Sequence, residues 1–186
     1  MTESGREARE LHREVEELEG SLSMEEFFHR LARRPYSCFL DTSLVMPRLG
    51  RYSFIGFDPH LVLVTRGMLC RWLRRDGKEV KTRENPFQAL RKALNMYRAK
   101  EEKDLPPFGG GGMGYLAYEL GRYIEKLPSS TADDLGLPEL CFAFYDRFLA
   151  HDHLTGRTFL VALHPRRPGD VLREARETLR EDPPPY

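Results

Sequence analysis

The side chains of this chain that could carry acid–base or metal chemistry are six histidines, His12, His29, His60, His151, His153 and His164, and 29 aspartates and glutamates. Their spacing assembles no recognisable centre. There is no His-Glu-x-x-His helix face, and no set of Cys and His has zinc spacing. His151 and His153 are two apart, which puts them on one face of a strand. Two imidazoles need further ligands to hold a metal, and an exposed hairpin end accounts for them and for the nearby Asp146 and Asp152. No serine sits in a Gly-x-Ser-x-Gly elbow, and no cysteine is paired by motif with a histidine. Asp133-Asp134 lies among polar residues, where turn chemistry explains it. No catalytic and no metal-ligating residue is assigned.

The run Phe108-Gly-Gly-Gly-Gly-Met-Gly-Tyr115 invites comparison with phosphate loops. A Walker loop needs a lysine and a hydroxyl after its last glycine, and here Tyr115 and Leu116 follow. A dinucleotide fingerprint needs a preceding strand in a βαβ unit, and here a proline-rich loop precedes. Glycines in such a run instead mark a strand that another backbone or layer approaches closely.

The elements that position these residues follow from periodicity. Leu11, Val15 and Leu18 form one thin apolar stripe at helical spacing, so residues 1–21 read as a helical extension. Ser23 and Glu26 make a capping box for a second helix, with Phe27, Phe28 and Leu31 inward and Pro35 ending it. Strands are expected over 37–40, 51–55, 61–65, 68–74 and 79–82, the last two joined by the Asp76-Gly77 turn. Pro86 opens a helix whose face is Phe87, Leu90, Leu94 and Tyr97. A charged loop over 100–107 leads to the glycine run. Residues 118–127 read as helical and 128–137 as a polar loop. Two long strands, 140–151 and 157–163, precede a last helix over 170–180. The main domain covers 22–182, and Pro-Pro-Pro-Tyr at 183–186 is linker chemistry. The fold class is α+β, with a largely antiparallel sheet system and flanking helices.

Composition narrows the function. The 29 basic and 29 acidic residues cancel, and no basic surplus is visible for displacing counterions from nucleic acid. No apolar stretch approaches the roughly 20 residues of a membrane span, and the charged N-terminus is not a signal peptide. Cys38, Cys70 and Cys141 are an odd, widely spaced set that fits reduced thiols of a cytoplasmic protein.

Two segments are more specific. Phe39-Leu-Asp-Thr42 with Pro47-Arg-Leu-Gly-Arg-Tyr-Ser-Phe-Ile-Gly56, and Phe108 to Pro128 continued by Asp133-Asp-Leu-Gly-Leu-Pro-Glu139, resemble two blocks of component I of anthranilate synthase and aminodeoxychorismate synthase. The resemblance extends over about residues 22–180. Glu119-Leu-Gly-Arg122 and the Asp-Asp-Leu-Gly-Leu-Pro stretch look more like the aminodeoxychorismate branch.

The resemblance implies a role. Such enzymes aminate chorismate with ammonia from a glutamine amidotransferase subunit, toward 4-aminobenzoate and folate or toward tryptophan. Chorismate and magnesium bind in their C-terminal part, whose motifs this sequence does not contain. The chain is therefore expected to be the family's N-terminal domain, inactive alone and without a cofactor of its own. It would support the chorismate-binding domain, where Mg2+ is expected, and help dock the amidotransferase. The alternatives are the regulatory domain of an anthranilate synthase, or a stand-alone amino-acid-binding module. The family's tryptophan pocket matches Leu40, Asp41, Thr42, Leu49, Arg51 and Tyr52. Asp41 offers a carboxylate for an ammonium group, Thr42 a hydroxyl and Tyr52 an aromatic wall. Asp41 and Thr42 depart from the family's Glu-Ser, the first shorter by a methylene and the second larger by a methyl.

Overall fold

A computed structural model describes residues 9–20, 22–46, 49–99, 110–126 and 135–181. The head of the N-terminal extension, the charged loop, the first glycine of the run, Asp133-Asp134 and the terminal linker lie outside the described residues.

In chain order the elements are β1 (Arg9–Leu18), α1 (Met24–Leu31), β2 (Cys38–Leu40), β3 (Tyr52–Gly56), β4 (Leu61–Arg66), β5 (Leu69–Arg74), β6 (Glu79–Arg83), α2 (Pro86–Asn95), β7 (Tyr97–Ala99), β8 (Gly111–Leu116), a 3-10 turn (Tyr118–Tyr123), β9 (Leu140–Tyr145), β10 (Arg147–Asp152), β11 (Arg157–His164) and α3 (Pro168–Arg180). They build two sheets. The first runs β2-β3-β10-β11-β1-β7 and the second β6-β5-β4-β9-β8. Every pairing is antiparallel except β1 with β7, so the expected α+β class with a largely antiparallel sheet system holds.

Alternation along the strands sorts side chains into layers. On one face of the first sheet Ile55, Leu149, Leu160 and Ala162 pack against Met24, Phe27 and Leu31 of α1 and Val171, Leu172, Ala175 and Leu179 of α3. The other face carries Phe148, Ala150, Val161 and Leu163. There Phe54 also meets Val62, Met113, Ala143 and Tyr145 of the second sheet. The far face of that sheet, with Leu63, Trp72 and Phe144, is covered by Ala89 and Ala93 of α2 and by Leu120. One face of each sheet is thus closed by helices, and the two sheets meet through Phe54, an arrangement of helices segregated to one side of antiparallel sheets.

Local signals hold where hydrogen bonds are local. The Ser23–Glu26 capping box forms, with Glu26 N–H to Ser23 Oγ at 3.2 Å and Ser23 N–H to Glu26 Oε2 at 2.7 Å. Asn85 caps α2, whose first residue is Pro86. The glycine run is a packing device. A Cβ on Gly114 would run into the Cys141 carbonyl oxygen and approach Phe142 Cα at 2.8 Å, and one on Gly112 would meet the Phe142 and Phe144 rings at 3.0 and 3.1 Å.

Four expectations are corrected. Residues 9–18 form a strand, not a helix: β1 pairs over seven residues with β11. Leu11 and Val15 satisfy a two-residue period as well as a helical one, and both reach the cluster around Phe148 and Val161, while Leu18 packs on the opposite, helix-covered face. The expected strand 140–151 is two strands. The chain leaves the second sheet at Asp146 and enters the first, so β9 pairs with β4 and β8 while β10 pairs with β3 and β11. Helix α2 buries Pro86, Ala89 and Ala93; Phe87 and Leu90 pack at its margin, Leu94 is exposed, and Tyr97 lies past its end. The helix expected over 118–127 is a short 3-10 turn.

Candidate functional site

Strand β3 begins where the loop after β2 folds back on itself. Met46 and Gly50 exchange backbone hydrogen bonds at 3.2 and 3.1 Å. Gly50 is required there, because a Cβ would run into the Leu44 carbonyl oxygen and crowd Thr42 Cγ2 at 3.1 Å. The following Arg51-Tyr-Ser53 is then tied to the β10–β11 hairpin. Arg51 donates two hydrogen bonds to Asp152, Nε to Oδ1 at 2.9 Å and an Nη to Oδ2 at 2.7 Å, and His153 N–H donates to the Arg51 carbonyl at 2.9 Å. The Arg51 guanidinium also lies 4.9 Å from the centre of the Tyr52 ring, a cation–π distance.

Ser53 is the hub of a second set of contacts. It is 0% exposed. Its Oγ lies 2.8 Å from Asp41 Oδ1, 3.0 Å from the Thr42 backbone N and 2.7 Å from His153 Nε2. Thr42 Oγ1 donates to the Tyr52 carbonyl at 2.8 Å. The His151 ring stands edge-on to His153, with centres 4.7 Å apart, and its Nδ1 lies 2.9 Å from Thr158 Oγ1.

Of the six residues taken from the sequence, Asp41, Thr42, Arg51 and Tyr52 gather here. They do not share one wall. Ser53, with Asp41 bonded to it, points to the helix-covered face, whereas Tyr52 stacks on Phe54 at 6.1 Å on the opposite face. Leu40 pairs with Phe54 in register and is 50% exposed. Leu49, at 86% exposed, stands off the cluster. The polar and apolar groups therefore flank the β2–β3 rim of the first sheet.

Three residues that organise the site had no place in the sequence reading of it: Ser53, Asp152 and His153. Asp152 and the two histidines, expected on an exposed hairpin end, are instead pinned, and Asp152 is only 4% exposed. The available signal was Ser53 itself, a polar residue at an inward position between Tyr52 and Phe54. The Arg51 hydrogen bond holds the Asp152 carboxyl down to about 2, against the opposing effect of burial and helped by the Leu154 N–H.

A separate cleft of about 660 Å³ lies where β9 becomes β10, lined by residues including His12, His60, Tyr145, Asp146 and His164. Burial lowers the His60 imidazole to about 4; Asp146 opposes that shift, and Arg75, Arg147 and Arg74 add to it. Asp146 stays below the usual carboxylate range despite burial, because Arg75 bonds to it through both Nη atoms. Tyr145 donates to the Tyr36 carbonyl, and burial pushes its hydroxyl well up. None of the six sequence-assigned residues lines this cleft. Among the described residues, no group of three or more His, Cys, Asp or Glu side chains is arranged to hold a metal ion, and no helix is long and apolar enough to cross a membrane.

Comparisons with known proteins converge. Residues 52–185 match the family model described as chorismate binding enzyme. The chain is 34% identical over 125 residues to anthranilate synthase component 1 of Acetivibrio thermocellus, which covers 67% of this chain and 25% of the relative. It is 37% identical over 134 residues to that of Thermus thermophilus, covering 72% and 28%. In fold it resembles the crystal structure of anthranilate synthase component I from Streptococcus pneumoniae TIGR4, with a TM-score of 0.57 at 19% identity over 88% of this chain and 36% of the other. The chain spans about a quarter of the length of these curated relatives.

Proposed function

The chain belongs to the chorismate binding enzyme family, and from that membership we propose that it serves as the non-catalytic N-terminal domain of component I of a chorismate-aminating synthase, acting in the cytoplasm. It supports a chorismate-binding catalytic domain and helps dock a glutamine amidotransferase subunit. One observation carries the proposal: both segments that resemble the family present large apolar side chains to solvent. Leu40 and Leu49 stand out from the first, and Tyr118, Ile124, Leu135 and Leu137 from the second. Exposed apolar surface of this kind suits burial against another domain, and the relatives are about four times as long as the matched segment.

Two branches fit. Glu119-Leu-Gly-Arg122 and the Asp-Asp-Leu-Gly-Leu-Pro stretch at 133–138 support the aminodeoxychorismate branch. The relatives' names support the anthranilate branch, and this is the stronger support because it draws on more than a hundred aligned residues rather than two short strings. At the β2–β3 rim we place an amino-acid site of the tryptophan type. Asp41 faces the ammonium group and Thr42 lies beside it, while Leu40, Arg51 and Tyr52 flank the rim, Tyr52 on its opposite face, and Leu49 stands exposed at its margin.

Incubation of the chain alone with chorismate, ammonia and magnesium is expected to yield neither anthranilate nor aminodeoxychorismate, and either product overturns the non-catalytic reading. Joined to the remaining length of component I, the chain should support turnover, and the product identifies the branch. Co-purification with the amidotransferase subunit tests docking; clean separation at micromolar protein counts against it.

A further inference from the structure

The hydrogen-bond chain through Ser53 has a single consistent proton arrangement. A serine hydroxyl donates once and accepts twice. The Thr42 N–H at 3.0 Å can only donate, and an ionised Asp41 carboxylate at 2.8 Å can only accept. Ser53 must therefore give its proton to Asp41. The remaining contact, His153 Nε2 at 2.7 Å, then has to bring a proton of its own. With Nε2 bare, one of two short contacts would hold no hydrogen, and Ser53 is too deeply buried for water to repair it.

We infer that Ser53 and His153 are positioning residues that fix the Asp41 carboxylate as the acceptor for a primary ammonium group, an inference that rests on the amino-acid site proposed above. His153 is set in its Nε2–H form. Its ring is braced by His151, itself tied to Thr158, and its backbone by the Arg51 carbonyl. The chain of donors runs one way, from His153 through Ser53 to Asp41, so it can only strengthen a negative charge at its end. Asp41 is exposed and open to a ligand. Glu25, in the first turn of α1, lies close enough to repel it. A cation at this point relieves that repulsion, whereas a ligand carboxylate would add to it.

The test combines long-range proton–nitrogen NMR of the 15N-labelled chain with calorimetric titration of tryptophan into wild type, Ser53→Ala and His153→Gln. In the wild type, His153 should show a protonated Nε2. Ser53→Ala should weaken tryptophan about tenfold. His153→Gln, which keeps an N–H donor near the Nε2 position, should stay within about twofold of wild type. Tryptophan binding by wild type that Ser53→Ala leaves unchanged overturns this inference alone, as does an Nδ1–H tautomer. No heat from wild type at millimolar tryptophan overturns the amino-acid site, and this inference with it. The NMR readout needs no variant, so it decides even if Ser53→Ala does not fold.

Discussion

Arg51 and Asp152, 101 positions apart in the chain, meet through two hydrogen bonds at 2.9 and 2.7 Å. The pair is asymmetric: the Asp152 side chain is 6% exposed and that of Arg51 39%. Removing the arginine leaves a buried charge, while removing the carboxylate leaves a guanidinium that water can reach. Arg51→Met should destabilise the fold more than Asp152→Asn, which can still accept from the Leu154 N–H. Urea unfolding of both variants checks the order; equal losses would show that burial of Asp152 is not what sets the cost.

Two glycines two residues apart should respond differently. Gly114→Ala forces a methyl against the Cys141 carbonyl and Phe142 Cα, backbone atoms that cannot rotate away. It should cost more than about 3 kcal/mol. Gly112→Ala meets only the rings of Phe142 and Phe144, which can shift, and should cost about 1–2 kcal/mol. Thermal unfolding of the two variants makes the comparison.

Acid should destabilise the chain in two windows. His60 is held at about 4 in the fold, below its ordinary 6.5, so the unfolded chain takes up its proton first as pH falls. Its contribution is full above pH 6.5 and is lost between 6.5 and 4, up to about 3 kcal/mol. Asp152, lowered from 3.8 to about 2, contributes above about pH 4 and loses that contribution between 4 and 2. Water around Arg51 trims this second loss to about 1–2 kcal/mol. Urea midpoints measured from pH 7 to pH 3 should fall through the first window and continue into the second. His60→Gln should flatten the first window only, and a slope that persists there in the variant would assign it to another group.

The capping box of α1 offers a surface test. Ser23→Ala removes the acceptor for the Glu26 N–H and should cost about 1 kcal/mol, whereas Ser23→Asp should cost little. Equal losses in chemical denaturation would mean that the helix is held by its apolar face alone.

Local chemistry was legible in the sequence. The Ser23 box, Pro86 at the first turn of α2, the Asp76-Gly77 hairpin and the packing use of the glycines each involve partners a few residues away or a backbone condition that only certain residues meet. The two family segments were likewise visible as residue strings, and the class of fold followed from the succession of strands, turns and helices. Tertiary structure alone decided the rest. Residues 9–18 contain good helix formers, and Leu11 and Val15 fit both periods, but the backbone groups offered by β11 and β7 draw the segment into the sheet. The break at Asp146 depends on which strands lie on either side, and no local period records that. The site followed the same rule. Asp41, Thr42, Arg51 and Tyr52 could be named from their string, but Ser53, Asp152 and His153 became its organisers only when folding brought side chains about a hundred positions apart within hydrogen-bond distance. A sequence pattern specifies which way a side chain faces; which partner waits there is settled by the packing of the whole chain.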